Sequence, residues 1–366
     1  MQGNVEESAG LRWLAPKEYS PLLSLMLKVN RAEHETNNCS CGLIMPRPRM
    51  GQSRFHYQLK IVIFRMVFTA NELVRNEDFL SAILQSAHEL MAIYSENPRI
   101  ASIMAAQQRW LMAHAGFSLS LGYPGEPTPG LYSSRFIDFA VKHGIASRNT
   151  AAAFLKEMLA YKFIQPVEHS PDRRITLLEP TPFTRDYMMR WIHTHLIVLD
   201  TLDGGSRMAT IALDPEATWR MHPIIAKRIM DSAVLRNPGM TYSLFNWATS
   251  GSVVMDYLIS RITSIDFSAD KVLIGRVSMK VMQDQFMISR THLKRLFKRA
   301  TEFGSVGWVG APGKSSFWLS HTFVSEYWKY QAEKYAIIDA VSYIVLSASE
   351  GSNARSGAAA LGLITG

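Results

Sequence analysis

IASRNTAAAFLKEMLAYKF, residues 145–163, opens on a hydroxyl side chain and then keeps its large apolar groups on one side. Ala151, Phe154, Leu155, Met158 and Tyr161 recur at helical spacing, and Ser147 stands where its oxygen can accept from the first free backbone N–H groups. The pattern predicts a helix from Ser147 to about residue 162. A short helix over 134–142, closed by Gly144, precedes it. Downstream, 164–169 and 174–178 read as strands on either side of the turn Ser170-Pro171-Asp172. Helix, turn, helix and hairpin is the order of a winged helix-turn-helix, whose second helix enters the DNA major groove.

The pattern returns in ISRTHLKRLFKRATEF, residues 288–303. Laying Ser147 on Ser289 puts Arg148 on Arg290 and Lys156 on Lys298. The five apolar positions fall on Leu293, Leu296, Phe297, Ala300 and Phe303, and Val167 falls on Val309. Upstream, a long helix over 100–121 overlies one over 242–263, and Arg65-Met66 overlies Arg207-Met208. Asn97-Pro98 and Asn237-Pro238 each precede the long helix. Downstream, Thr181, Tyr187 and Asp200 meet Thr322, Tyr327 and Asp339, the second copy being slightly shorter. A shared helix face and a shared element order predict an internal duplication with a period of about 140 residues. The first unit also holds an amphipathic helix over 77–94, a Gly/Pro loop over 122–130 and a last helix from Pro182 to about 199. The expected division is an arm or linker over 1–58, one winged-helix unit over 59–204, a second over 205–346, and a tail without structure over 347–366. The fold class is mainly α with small β-hairpin wings, two tandem units forming a pseudo-dimer within one chain.

A formal net charge of +8 on 366 residues favours an anionic partner, and 47% apolar residues suffice for sizeable cores. Cys39 and Cys41 stand without a second cysteine pair, so they read as unused thiols rather than a zinc site. The most apolar early run, IVIFRMVF over 61–68, is broken by Arg65 and is far shorter than the ~20 residues of a membrane span. The expected setting is the cytoplasm.

The candidate DNA-binding residues follow from the helix order. Ser147, Arg148, Asn149 and Thr150 begin one recognition helix, and Ser289, Arg290, Thr291 and His292 begin the other; Arg and Asn make bidentate contacts with base edges. Farther along, the first helix has Lys156, whereas the second has Lys294, Arg295, Lys298 and Arg299. Such a basic face serves either as a phosphate grip or as an ordinary solvated surface. In the hairpins, Arg173 and Arg174, with His169, face the second unit's Lys314 as wing contacts. The second unit is thus expected to supply more phosphate attraction than the first.

AVKHGIASRNTAAAFLKEMLAYKFIQPVEHSPDRRITLLEPT, residues 140–181, resembles the MarR family of bacterial transcription regulators. The resemblance lies in the glycine turn, the Ser-led helix, Asp172-Arg173-Arg174 in the wing, and Leu177-Leu178 followed by Pro180-Thr181 before a helix. It implies a dimer of winged-helix subunits joined through outer helices, with Arg173 as the wing contact and Asp172 orienting it. Because one such subunit is about as long as one repeat, the chain resembles two subunits fused head to tail, a monomer acting as a pseudo-dimer. The resemblance also implies a small-molecule effector between the dimerisation helices and the winged domain, for which an apolar cleft near the 100–121 helix would serve. In the second unit the likeness fades: Phe286 stands for Gly144, and Gly313-Lys314 for Asp172-Arg173. It does not extend to residues 1–58.

Other signals carry less. GAPGKSSFW, 310–318, lacks the glycine spacing of a phosphate loop, and a strand rather than a helix follows it. His193 and His195 are two apart in a predicted helix and do not face one another. Trp110, Trp191, Trp219, Trp247 and Trp328 read as packing residues. No motif for catalysis, cofactor or metal stands out. The function expected is sequence-specific binding of double-stranded DNA in transcriptional regulation. Plasmid replication initiators also use paired winged helices, and a winged helix without DNA contact can serve as a protein-binding adaptor.

Overall fold

The structure, a computed structural model, describes residues 67–362 other than 97, 99–103, 127, 129, 169–174 and 267, with side chains as far as 348. The expected arm over 1–58 lies outside the described residues. Thr69 opens the fold with a reciprocal cap: its side chain accepts from the Glu72 N–H, and the Glu72 carboxylate accepts from the Thr69 N–H at 2.7 Å. Helix α1 (Ala70–Arg75) leads into α2 (Glu77–Glu96), which buries Phe79, Ile83, Ala87 and Leu90 on one stripe. Then come α3 (Gln107–Leu121), α4 (Ser133–Lys142) and α5 (Arg148–Ala160). An antiparallel pair, β1 (Ile164–Pro166) and β2 (Leu178–Pro180), follows, and α6 (Pro182–Asp203) completes the series. Thr181 caps α6 and Pro182 occupies its first turn.

A second run of helices and short strands, similar in order, follows Gly204. It runs α7 (Arg207–Leu213), α8 (Ala217–Asp231), a one-turn α9 (Ala233–Arg236), α10 (Met240–Asn246), α11 (Gly251–Ser260), β3 (Lys271–Leu273), α12 (Met279–Phe286), α13 (Arg290–Glu302), β4 (Val306–Trp308), β5 (Phe317–Ser320) and α14 (His321–Gly362). The molecule is mainly helical with two small antiparallel sheets. The second sheet has order β3-β5-β4. The first contains β1-β2, and Leu131 adds a bridge to Leu178 on the side where β3 meets β5. That third strand position went unread in the sequence because three residues, Lys271–Leu273, are too few to show alternation.

Helix packing is reciprocal. Helix α2 lies on α11 and α8 lies on α3; α1 lies on α14 and α7 on α6. Within each series α2 packs on α6 and α8 on α14, and α6 and α14 also touch. The described residues accordingly form one compact unit with one contiguous apolar core. A buried charge cluster ties the ends of the two series. Arg207, 1% exposed, donates to Asp200 at 2.8 Å, Asp203 at 2.9 Å and Asp339 at 2.7 Å. Asp339 also accepts from the Phe68 N–H at 2.9 Å, and Asp200 from the Met208 N–H at 3.0 Å.

Several expectations need correction. The helix expected over 100–121 begins at Gln107, after an extended Ala106. Its counterpart over 242–263 is broken at 247–250, where Ser250 takes a left-handed backbone and α11 starts on Gly251. A Cβ on Gly251 would land on the Phe245 carbonyl oxygen, so this break admits no larger residue. Trp247 sits in the break and is 49% exposed, which removes it from the packing tryptophans. The second strand of the first hairpin is Leu178–Pro180 rather than 174–178. Thr181 pins it there by donating its hydroxyl to the Lys162 carbonyl at 2.9 Å. The tail expected to lack structure is helical to Gly362. No proline interrupts α14, and extending an existing helix costs far less than nucleating one.

Candidate nucleic-acid interface

Helices α5 and α13 are each set by a cap and by the turn before it. Ser147 accepts from the Thr150 N–H at 3.2 Å, and Ser289 accepts from the His292 N–H at 3.2 Å. Beneath them Ala151, Phe154, Leu155 and Met158 are buried, as are Leu293, Leu296, Phe297 and Ala300, so the two helices seat equivalent faces. Before α5 the chain turns on Gly144 at φ +58°; before α13 it turns on Met287 at φ +50°. The left-handed step therefore survives in the second turn without a glycine. Phe286, which the alignment placed opposite Gly144, is instead the buried last residue of α12.

The outward faces differ. On α5 Arg148, Asn149, Thr150 and Lys156 are exposed. Arg148 is held by Asp138 at 2.6 Å, and Glu157 is held by Arg109 at 2.7 Å, so much of this face is already neutralised. On α13 Arg290, Thr291, Lys294, Arg295, Lys298 and Arg299 are exposed. Lys298 lies 3.8 Å from Glu302, while Arg290, Lys294, Arg295 and Arg299 make no ion pair among the described residues. His292 turns inward; it is half-buried and its Nε2 has no partner among the described residues. Its position in α13 gives it little access to a base edge.

In the second hairpin Lys314 is exposed on the turn between β4 and β5, next to Gly313 at φ +74°. Arg173 and Arg174, expected from the sequence to be wing contacts, lie outside the described residues, as do His169 and Asp172. Sequence reasoning missed Lys271 on β3. Its ammonium lies 4.3 Å from the centre of the Trp318 ring on β5, which holds a further cation on the hairpin sheet. The alternation of FWLS into β5 was legible; its partner across the sheet was not.

Between α3, α5 and α6 there is a cavity of about 140 Å3, lined in part by Trp110, Phe154, Met158 and Trp191, with Asp256 of α11 and Lys334 of α14 also in its lining. It lies where an apolar cleft near the 100–121 helix was expected, and the two charged residues in its lining were not foreseen. Tyr327 donates to Asp256 at 2.9 Å. Burial pushes the Asp256 carboxyl up to about 6, against the attraction of Lys334 and the Tyr327 hydrogen bond. Burial likewise brings Lys334 down to about 8, with Asp256 opposing. Beside the cavity, His114 lies 3.1 Å from His222, which meets Ser118 at 3.2 Å. Desolvation holds His114 down to about 3 and His222 well below the usual histidine range. His195 is bonded through Nδ1 to the Trp191 carbonyl at 2.7 Å, and His193 to Thr218 at 3.3 Å. These two histidines are thus engaged separately.

Among the described residues no helix is long and apolar enough to cross a membrane. Comparison of the chain with family models, with curated proteins and with solved structures finds no match.

Proposed function

We propose that the chain is a tandem winged helix-turn-helix protein that binds double-stranded DNA sequence-specifically and regulates transcription. In this reading its two halves form a pseudo-dimer. The observation that carries the proposal is the exposed face of α13. Four cations there have no acidic partner among the described residues, on the helix that follows a left-handed turn and a serine cap. A solvated surface helix gains by pairing such charges along its own face, whereas a phosphate-binding helix keeps them available. The reciprocal packing of α2 on α11 and α8 on α3 supports the pseudo-dimer, since exchanged contacts of this kind define a two-fold interface. The partial neutralisation of α5 supports unequal roles: α13 grips phosphate, and α5 contributes contacts to bases through Asn149 and Thr150.

The test is a mobility-shift selection of genomic fragments, followed by affinity measured at two salt concentrations. Tight binding that weakens steeply with salt, with a footprint of two unlike half-sites about 34 Å apart, is expected. Affinity unaffected by salt, or a footprint over one half-site at saturation, overturns the reading and leaves a protein-binding role for the same fold.

A further inference from the structure

The turn before α5 is held from outside its own helices. The consecutive carbonyls of His143, Gly144 and Ile145 each accept from a side chain on another element. Arg236, the last residue of α9, donates through Nη1 to the His143 carbonyl at 3.1 Å and through Nη2 to the Gly144 carbonyl at 3.0 Å. Gln108 of α3 donates through Nε2 to the Ile145 carbonyl at 3.0 Å. Arg236 makes no ion pair among the described residues, so its fork serves main-chain oxygens just past the C-terminal end of α4. Carbonyls there carry partial negative charge, and a guanidinium binds them through charge-assisted hydrogen bonds. The base of Arg236 is fixed in turn. Ser232 accepts from the Leu235 N–H at 3.3 Å and donates to Glu333 of α14 at 2.8 Å. The Leu235 carbonyl accepts from Gln107 Nε2 at 2.8 Å, and Gln107 Oε1 accepts from Asn246 at 2.6 Å and from Tyr330 at 3.1 Å. Leu235, Gln107, Asn246 and Tyr330 are all buried. Among the described residues no side chain donates to a carbonyl of the turn at 286–288 before α13.

We infer that Arg236 is a positioning residue: together with Gln108 it clamps the turn before α5 and so fixes the direction in which that helix points. The inference rests on the reading of α5 as a DNA-facing helix, while the clamp itself is present in the chain alone. Burial of Ala151, Phe154, Leu155 and Met158 decides which face of α5 turns inward. Apolar packing is non-directional, however, and leaves a helix some freedom to slide and tilt. Hydrogen bonds to three successive carbonyls remove that freedom at the point where the helix begins. Polar recognition tolerates misplacement of only about 0.5 Å and 10–20°, so a turn that yields further blurs the contacts of Asn149 and Thr150 without unfolding the helix. Arg236 belongs to the second run of elements and the turn to the first, so the aim of α5 is set by the other half of the molecule.

Hydrogen–deuterium exchange of the full chain without DNA tests the clamp, read by mass spectrometry on peptides spanning 139–151. The Gly144 and Ile145 N–H groups, bonded to the Val141 and Ala140 carbonyls, are the reporters. In Arg236→Gln their exchange is expected to be at least about fivefold faster, with peptides over 282–292 unchanged. Arg236→Lys, which offers one ammonium in place of a two-armed fork, should fall between. Selection from randomised duplexes then reads the aim. Arg236→Gln should relax base preference at the half-site facing α5, keep that facing α13, and leave the salt slope unaltered, because the guanidinium is engaged by carbonyls and not by phosphate. Unchanged exchange in Arg236→Gln overturns the inference. So does base preference weakened alike at both half-sites, the mark of a residue that serves stability alone. A reduced salt slope also overturns it, as the mark of a direct contact with DNA. If Arg236→Gln does not fold, Gln108→Met, which releases the Ile145 carbonyl alone, is held to the same exchange criterion. Unaltered protein that binds no duplex sinks the DNA reading, and exchange alone then decides the clamp.

Discussion

Met287 holds a left-handed backbone, φ +50°, and its side chain is 58% exposed. A residue with a Cβ meets its own following carbonyl there, at a cost of about 1–2 kcal/mol. Exposure means that little burial is lost on removing the side chain. Met287→Gly is therefore expected to stabilise the protein by about 0.5–1 kcal/mol, part of the relief being offset by the greater freedom of glycine in the unfolded chain. Chemical denaturation measures it, and a loss of stability would show that the thioether contributes packing across the turn. Gly144 at φ +58° marks the same step in the first half without the strain. Alignment by residue type passed over this pair because the shared property is a backbone angle.

At the scale of the element, α5 and α13 have the same buried face and opposite electrostatic states. Lys294→Ala and Arg295→Ala are each expected to reduce the slope of log affinity against log salt by about 0.9, one phosphate contact apiece. Arg148→Ala is expected to leave the slope nearly unchanged, because Asp138 already holds that guanidinium. Titrations at four salt concentrations read these slopes; equal slopes for all three variants would remove the assignment of α13 as the phosphate-gripping helix. How much of this was legible follows from the length of each signal. Ser147, Ser289 and their buried stripes were readable because capping and 3.6-residue periodicity are local. The salt bridges from Arg148 and Glu157 were not, since Asp138 and Arg109 sit on other helices. The break before Gly251 was also hidden, because it depends on the approach of the Phe245 carbonyl. The apolar run of 242–263 continues through it.

For the whole molecule, the Arg207 cluster and the buried histidines govern stability. Arg207→Met leaves Asp200, Asp203 and Asp339 around a vacated guanidinium site where the two series meet. A loss of about 3–5 kcal/mol is expected by urea denaturation. Acid should act through His114, His195 and His222, all held below their ordinary pKa by burial. Their unfolded forms take up protons from about pH 6.5 downward while the folded forms do not. Stability is therefore present above that pH and lost as pH falls toward 3, by up to about 1.4 kcal/mol per pH unit for each group. Asp256 has the opposite sign. Its raised pKa, about 6, makes the folded state bind the extra proton between pH 4 and 6 and offsets about one histidine there. Asp256→Asn should thus steepen the acid loss over that window, and a denaturation series from pH 7 to 4 compares the slopes.

Because α1 and α2 of the first series lean on α14 and α11 of the second, while α7 and α8 lean back on α6 and α3, the exposed Gly204 joins two pieces that already embrace one another. A protease cut at that glycine would leave the fragments clasped, and their separation would become a matter of dilution rather than of unfolding alone.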